Sequence, residues 1–312
     1  MLGNMSASDE HRPHRGSADE TALTDVKITV VVPMHDAGFT IGDQLDALLS
    51  QDGVGQYEVV VVDDGSRDEG PAVVEDVACR DDRVRLVATT GGHGPAHARN
   101  FGAGQARGAM IAFCDADDVV APGWLAALAE ALGHAVAATG PQEQRALNPP
   151  WLQNLYGSDA SSGPQHFAGM FPFGPSSNLA FRRDVFRSLG GFDSAIRVPA
   201  GEDIELCMRL WDRGDELAFA PQAVVHYRNR SRLGDIWRQA RLYGAAAPML
   251  VARLERLGYP VPHRWRGARN WLWLVRRLPT LRTRAGRVRW LVVAGLTSGR
   301  LEGSLRWRCV YL

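Results

Sequence analysis

Apolar and polar positions fall in alternating blocks along the first 120 residues. The β-branched run from Val26 to Val32, closed by Pro33, predicts a buried strand. Ile41 to Leu49 carries apolar residues at 41, 45, 48 and 49, a helical spacing. Tyr57 to Val62 predicts a second strand that ends at Asp63-Asp64-Gly65-Ser66. A helix to Cys79 and a short third strand, Val84 to Ala88, follow. Gly91 to Gly94 then loops into a helix through Gln105, and Met110 to Cys114 is the fourth strand. Strands alternating with helices predict an α/β chain with a doubly wound, mostly parallel sheet. Residues 134–176, rich in Gly, Pro, Ser and Gln, read as variable loops, and regular structure resumes at Asn178. Ile204, Cys207, Met208 and Trp211 then mark a buried helix face, and Ala223 to Val225 a short strand ahead of His226.

Composition adds an asymmetry that the pattern hides. The 312 residues are 45% hydrophobic and 22% charged, ordinary for a globular chain of two domains or one domain with an extension. Net charge is zero, yet residues 253–312 hold fourteen arginines against Glu255 and Glu302, a net of +12. Lys27 is the only lysine, so part of the arginine bias reflects coding composition. Five of the nine tryptophans, at 265, 271, 273, 290 and 307, fall in the same tail. Arg and Trp on short amphipathic segments suit an anionic membrane surface. The alternative is a helical extension packed on the body, with its Trp buried and its Arg solvated or paired. No nucleic-acid motif accompanies the charge, so no nucleic-acid partner is expected. No run approaches the ~18 apolar residues of a membrane span. Residues 1–25 are polar and predict a disordered tail without a signal region. The widely spaced Cys79, Cys114, Cys207 and Cys309 predict reduced thiols. The expected location is cytoplasmic, with peripheral contact on the inner face of the membrane through residues 253–312.

Candidate chemistry gathers where strands end. The fourth strand breaks into Asp115, Asp117 and Asp118, at the carboxyl end where open α/β sheets bind ligands. Asp115 and Asp117 project to one side in an extended backbone, and two hard oxygen ligands suit Mg²⁺ or Mn²⁺ shared with substrate phosphates. A loop whose Asp117 or Asp118 caps the next helix explains the same residues. Asp64 is a candidate acceptor for a base or ribose group, or else part of an Asx-type turn with Asp63 and Ser66. There is neither a G-x-G-x-x-G after the first strand nor a P-loop anywhere, which disfavours dinucleotide binding. His93 and His97 lack a local carboxylate and are weak as a metal pair. Glu202 and Asp203 open a helix; Asp203 is a candidate general base, while acidic residues also occur there for stability alone. His226 is open to three roles: metal ligand, phosphate contact or structural imidazole.

Taken in order, VVVPMHDAG (30–38), VVDDGSRD (61–68), PAHARNFGAGQARGAMIAFCDADD (95–118), SNLAFRRDVFRSLGGFD (177–193) and GEDIELCMRL (201–210) resemble the inverting family 2 glycosyltransferases of the GT-A fold. His35-Asp36 departs from the usual Tyr-Asn. The resemblance spans roughly residues 26–245. It implies a donor-binding half, 26–120, and an acceptor and catalytic half, 121–245; the composition adds a basic Trp/Arg-rich helical extension, 246–312. It further implies a nucleotide-sugar donor (UDP-, GDP- or dTDP-linked) contacted by Pro33, His35, Asp36, Asp64, Arg99, Asn100, Asp115, Ala116 and Asp117. Asp117 is then the principal ligand of Mg²⁺ or Mn²⁺, with His226 a looser match for a further ligand. Asp203 corresponds to the catalytic base and Glu202 to a residue that positions the acceptor. The 134–176 loops would belong to the acceptor site, and a lipid-linked glycan, a saccharide or a natural product are the acceptor classes in view. Two alternatives are a degenerate relative that binds nucleotide or a partner without transfer, and a nucleotidyl transferase, which would want a basic Gly-rich loop after the first strand.

Overall fold

The valine-rich runs become neighbouring strands because both of their faces are covered. Ile28–Met34 (β1) is buried at every position but one. The computed structural model describes residues 26–155, 163–196, 200–261 and 264–312; the expected tail, 1–25, lies outside them. After β1 come α1 (Ile41–Leu49), β2 (Tyr57–Asp63), α2 (Gly70–Ala78), β3 (Val84–Ala88), α3 (Pro95–Gly104) and β4 (Met110–Phe113). The second stretch comprises β5 (Val119–Val120), α4 (Trp124–His134), β6 (Ala137–Thr139), β7 (Gln142–Glu143), β8 (Gln165–Phe167), β9 (Phe171–Phe173), β10 (Leu179–Arg182) and α5 (Arg183–Ser188). The last is α6 (Glu202–Asp212), β11 (Leu217–Phe219), β12 (Val225–His226), α7 (Leu233–Arg256), α8 (Arg269–Arg276) and α9 (Arg284–Trp307).

Seven strands form one sheet in the order β11-β6-β10-β4-β1-β2-β3. Pairing is parallel except at β10, which runs antiparallel to both β4 and β6. Alternate residues of each strand serve opposite faces. Val30, Val32, Val59, Val61 and Ala112 join α1, α2 and α4 in one core. Val31, Val60, Val62, Ile111 and Phe113 join α3, α5, α6 and α7 in the other. The doubly wound, mostly parallel architecture expected from the pattern is therefore the one observed.

Residues 134–176 hold more regular structure than expected. β7 pairs with β12 and β6 with β10 and β11, partners far along the chain, while β8 and β9 pair with each other. Segments of two or three residues show no period of their own, and only tertiary pairing makes them strands. The expected boundary at 245/246 falls inside the 24-residue helix α7.

The carboxyl tail is held by an unexpected device. Gly295, Gly299 and Gly303 recur every four residues and form a side-chain-free ridge along α9. A Cβ on Gly299 would lie 2.0 Å from the Arg241 carbonyl oxygen, and one on Gly303 would lie 2.4 Å from that of Ala245. Gly244 makes the reciprocal approach, its Cβ position 2.2 Å from the Leu296 carbonyl oxygen. Contacts rise together along both helices, so α9 runs parallel to α7, and 257–283 carries the chain back between them. Arg253 ties α7 to the body, bonding Glu205 at 2.8 Å and Asp193 at 2.5 Å.

Replacing Gly299 by Leu should therefore destabilise the chain by about 3 kcal/mol, the upper end for overpacking. Gly133→Ala, where an added Cβ meets nothing within 4 Å, should be neutral or slightly stabilising. Urea denaturation of the two variants checks this, with faster proteolysis inside 257–283 expected for Gly299→Leu only.

Candidate active site

Beyond β4 the chain keeps its alternation for four residues. Cys114 and Ala116 point into the core, at 0% and 5% exposure, while Asp115 and Asp117 are half-buried on the wall of a cavity. Gln44 of α1 clamps this loop, donating from Nε2 to the Asp115 carbonyl at 3.0 Å and accepting from the Val120 N–H at 3.0 Å. Asp118 is fully buried and accepts a 2.8 Å bond from the Arg228 N–H. One oxygen from each of Asp115, Asp117 and Asp118 lies within 4.8 Å of the others. Burial and then the Asp115 charge push the Asp117 carboxyl up, against the pull of Arg230. Burial and the charges of Asp117 and Asp115 push Asp118 well above the usual range. Such crowding of hard oxygens is relieved by a divalent cation, so the donor set fits Mg²⁺ or Mn²⁺. Arg230 meets that demand in part, its Nη1 3.1 Å from Asp117 Oδ2. His226 stands outside this cluster, with its Nδ1 2.9 Å from Glu143 Oε2.

Glu202 and Asp203 open α6 behind Gly201, whose φ of +86° is left-handed and whose Cβ position would lie 3.0 Å from Ala246. Asp203 Oδ1 accepts from the Ile204 N–H at 2.8 Å, and Oδ2 from the Ser176 N–H at 3.1 Å. Burial pushes the Asp203 carboxyl up despite those donors and the Arg99 charge. Arg99 of α3 joins the two acidic groups. Its Nη2 donates to Asp115 at 2.7 Å and its Nη1 to Glu202 at 3.1 Å, with the guanidinium almost wholly buried. Burial, then the Asp203 charge, pushes Glu202 up to about 7, although Arg99 opposes the rise.

These groups share one cavity of about 950 Å³. Asp36, Arg99, Asp115, Asp117, Ser176, Glu202 and Asp203 all line it. Asp235, Gln239, Tyr243 and Ala246 form a wall of α7 at helical spacing. Gln239 Nε2 donates to Tyr227 Oη at 3.3 Å and to Tyr243 Oη at 3.1 Å. Burial and the Asp203 charge push the Tyr243 phenol up to about 12. Arg230, Tyr227 and the α7 wall carry no spacing signal in the sequence beyond the Tyr-Arg-Asn-Arg run after His226.

Five other expected donor residues, Pro33, His35, Asp64, Asn100 and Ala116, are not among the residues lining the cavity. Asp64 accepts from Thr89 Oγ1 at 3.0 Å and the Gly94 N–H at 2.7 Å, with His93 Nδ1 at 3.1 Å. Burial raises its pKa, but these bonds outweigh that and hold it below the usual value. The Asx-type turn is present as well, Ser66 N–H donating to Asp63 at 3.0 Å. Asn100 braces the Gly190–Asp193 loop, donating to the Phe192 carbonyl at 2.7 Å and accepting from its N–H at 2.9 Å.

Residues 29–190 match the profile described as Glycosyl transferase family 2, and 110–302 that described as Glycosyl transferase family group 2. The succinoglycan biosynthesis protein ExoO of Rhizobium meliloti is 34% identical over 276 residues, covering 80% of this chain and 77% of that protein. The chain belongs to glycosyl transferase family 2. This family 2 member is also 30% identical over 292 residues to the pre-mycofactocin glycosyltransferase of Mycobacterium tuberculosis; that match takes in 89% of the chain but only 58% of the relative's length. In fold it is similar to a mannosyltransferase of Pyrobaculum calidifontis solved with GDP-Man and Mn²⁺, with a TM-score of 0.61 at 20% identity over 94% of this chain and 90% of that one. The same GT-A architecture thus underlies both.

A carboxyl raised by burial binds its proton more tightly folded than unfolded. Its stabilising contribution is present below the unfolded value of 4.5 and is lost as pH rises through about 7. With chelator present, the family 2 chain should lose as much as about 3 kcal/mol on this account between pH 5 and 8. Glu202→Gln should lack that component, so its stability relative to the parent should improve as pH rises. Parallel denaturation curves for the two proteins across this range would contradict the shift.

Proposed function

We propose that this chain is an inverting glycosyltransferase that moves a sugar from a nucleoside-diphosphate donor to an acceptor hydroxyl, with Asp203 as general base. The observation that carries the reading is the single cavity in which Asp115 and Asp117 share a wall with Arg99, while Glu202 and Asp203 bound the same space from α6. Family membership supports transfer, and the P. calidifontis neighbour, bound to GDP-Man and Mn²⁺, supports a UDP-, GDP- or dTDP-linked donor.

Asp203 takes the proton of the acceptor hydroxyl as that oxygen attacks the anomeric carbon. The nucleoside diphosphate leaves from the opposite face, and configuration inverts. A carboxyl raised by burial is a stronger base than an exposed Asp, while the Ile204 and Ser176 N–H groups fix its oxygens. Glu202 positions the acceptor and, through Arg99, shares a support with Asp115. Mg²⁺ or Mn²⁺ held chiefly by Asp117 would neutralise charge on the leaving diphosphate. Arg230 adds fixed positive charge on the same side. The α7 wall, with Gln239 and Tyr243, bounds the acceptor side. A degenerate binding protein is not favoured, since Asp115, Asp117 and Asp203 are all retained around one cavity.

Asp203→Asn should keep donor affinity and lose transfer by about 10²–10⁴-fold, the range for removing a general base. Calorimetry with a panel of nucleotide sugars, beside product NMR for the anomeric configuration, measures both. Equal loss of binding and transfer would sink the assignment. Asp117→Ala should instead abolish Mn²⁺-dependent donor binding; unchanged metal-dependent binding in that variant would remove Asp117 as a ligand.

A further inference from the structure

The helix α8 presents apolar side chains to solvent. Leu274 is its buried anchor, and the Leu274 carbonyl accepts a 3.0 Å bond from Trp290 Nε1 of α9. On the outward side stand Trp271, Leu272, Val275 and Leu278, exposed by 46%, 54%, 64% and 50%. Residues 271, 275 and 278 follow helical spacing, so they form one crest rather than scattered apolar positions. Around it Arg269, Arg276, Arg277, Arg282 and Arg287 are exposed. Among the described residues none of these five arginines is in an ion pair, whereas Arg241 and Arg264 of the same region are. No Asp or Glu occurs between Glu255 and Glu302. The packed helix α9 thus buries its glycine ridge and leaves α8 as the bare outer layer.

We propose that α8 and the turn to Leu278 form a docking face for an anionic phospholipid surface. The apolar crest enters the headgroup boundary, and the unpaired arginines meet the lipid phosphates. Charge chooses the occupant. A rim with five unpaired cations and no carboxylate repels a second copy of itself, and it complements a negatively charged bilayer. None of the described helices is long and apolar enough to cross a membrane, so this contact lies on the bilayer. The face also has a useful place in the fold. Val288 and Val292 of α9 pack on Ile236 of α7, next to Asp235 and Gln239 of the cavity wall. The end of α8 bonded to Trp290 therefore sits near the start of α7, whose length lines the cavity from Asp235 to Leu250. The docking face stands on its own residues and does not depend on the transferase reading.

Flotation of the full chain with vesicles of phosphatidylcholine, alone or with about one third phosphatidylglycerol, tests it without any donor. The chain should float with the anionic vesicles only, and added salt should release it. R276Q/R277Q should lower partitioning about 30-fold, from roughly fivefold per arginine. W271A/V275S should lower it at least about tenfold through lost apolar burial. All four side chains are exposed, so unchanged melting curves identify the variants as folded. Equal flotation on both vesicle types, absence of flotation, or full binding by both variants overturns the proposal. Self-association that W271A/V275S abolishes, without vesicle binding, assigns the face to a second copy and overturns it equally.

Discussion

A guanidinium held between two carboxylates is the constraint on which the site depends. Arg99 reaches Asp115 in the loop after β4 and Glu202 on the helix that carries Asp203, and the two acids come from segments about 90 residues apart. A buried ion pair adds little net stability once desolvation is counted, but removing one partner strands a charge and is strongly unfavourable. The triad therefore acts as a register device. The loop after β4 and the first turn of α6 hold one relative position, because any other leaves a charge unpaired in low dielectric. Burial pushes both Glu202 and Asp203 up, the Asp203 charge adds to the rise at Glu202, and Arg99 stays ionised between its partners.

Much of the sheet was legible along the chain, and for a definite reason. β1, β2 and β4 are covered on both faces, so they appear as unbroken Val, Ile and Phe runs. Ala137–Thr139 and Gln142–Glu143 carry no such mark, because strands this short exist only through partners such as β10 and β12. The ridge of α9 was hidden for the opposite reason. Its buried face is glycine, and a search for apolar periodicity passes over residues that have no side chain.

The site divides in the same way. Asp115, Asp117, Glu202 and Asp203 could be read because each lies at a punctuated end of an element, where chemistry and spacing coincide. The link from Arg99 to Glu202 spans 103 residues and leaves no local trace. Nor does the Arg230 contact with Asp117, since a single arginine in an arginine-rich chain carries little information. Asn100 and Asp64 sit within the motifs that carry the family resemblance. In the structure they brace the loops at Gly94 and Phe192 and are not among the residues lining the cavity, which spacing within a motif does not distinguish.

Helix α7 serves two neighbours at once. One side supplies Gln239, Tyr243 and Ala246 to the cavity, and the other receives the bare backbone of α9 at Arg241 and Ala245. Main chain against main chain leaves no compressible layer, so α7 cannot roll about its axis without collision. The α7 wall of the cavity is in effect a fixed template, whose outline varies with side-chain length at 239, 243 and 246 and not with movement of the helix.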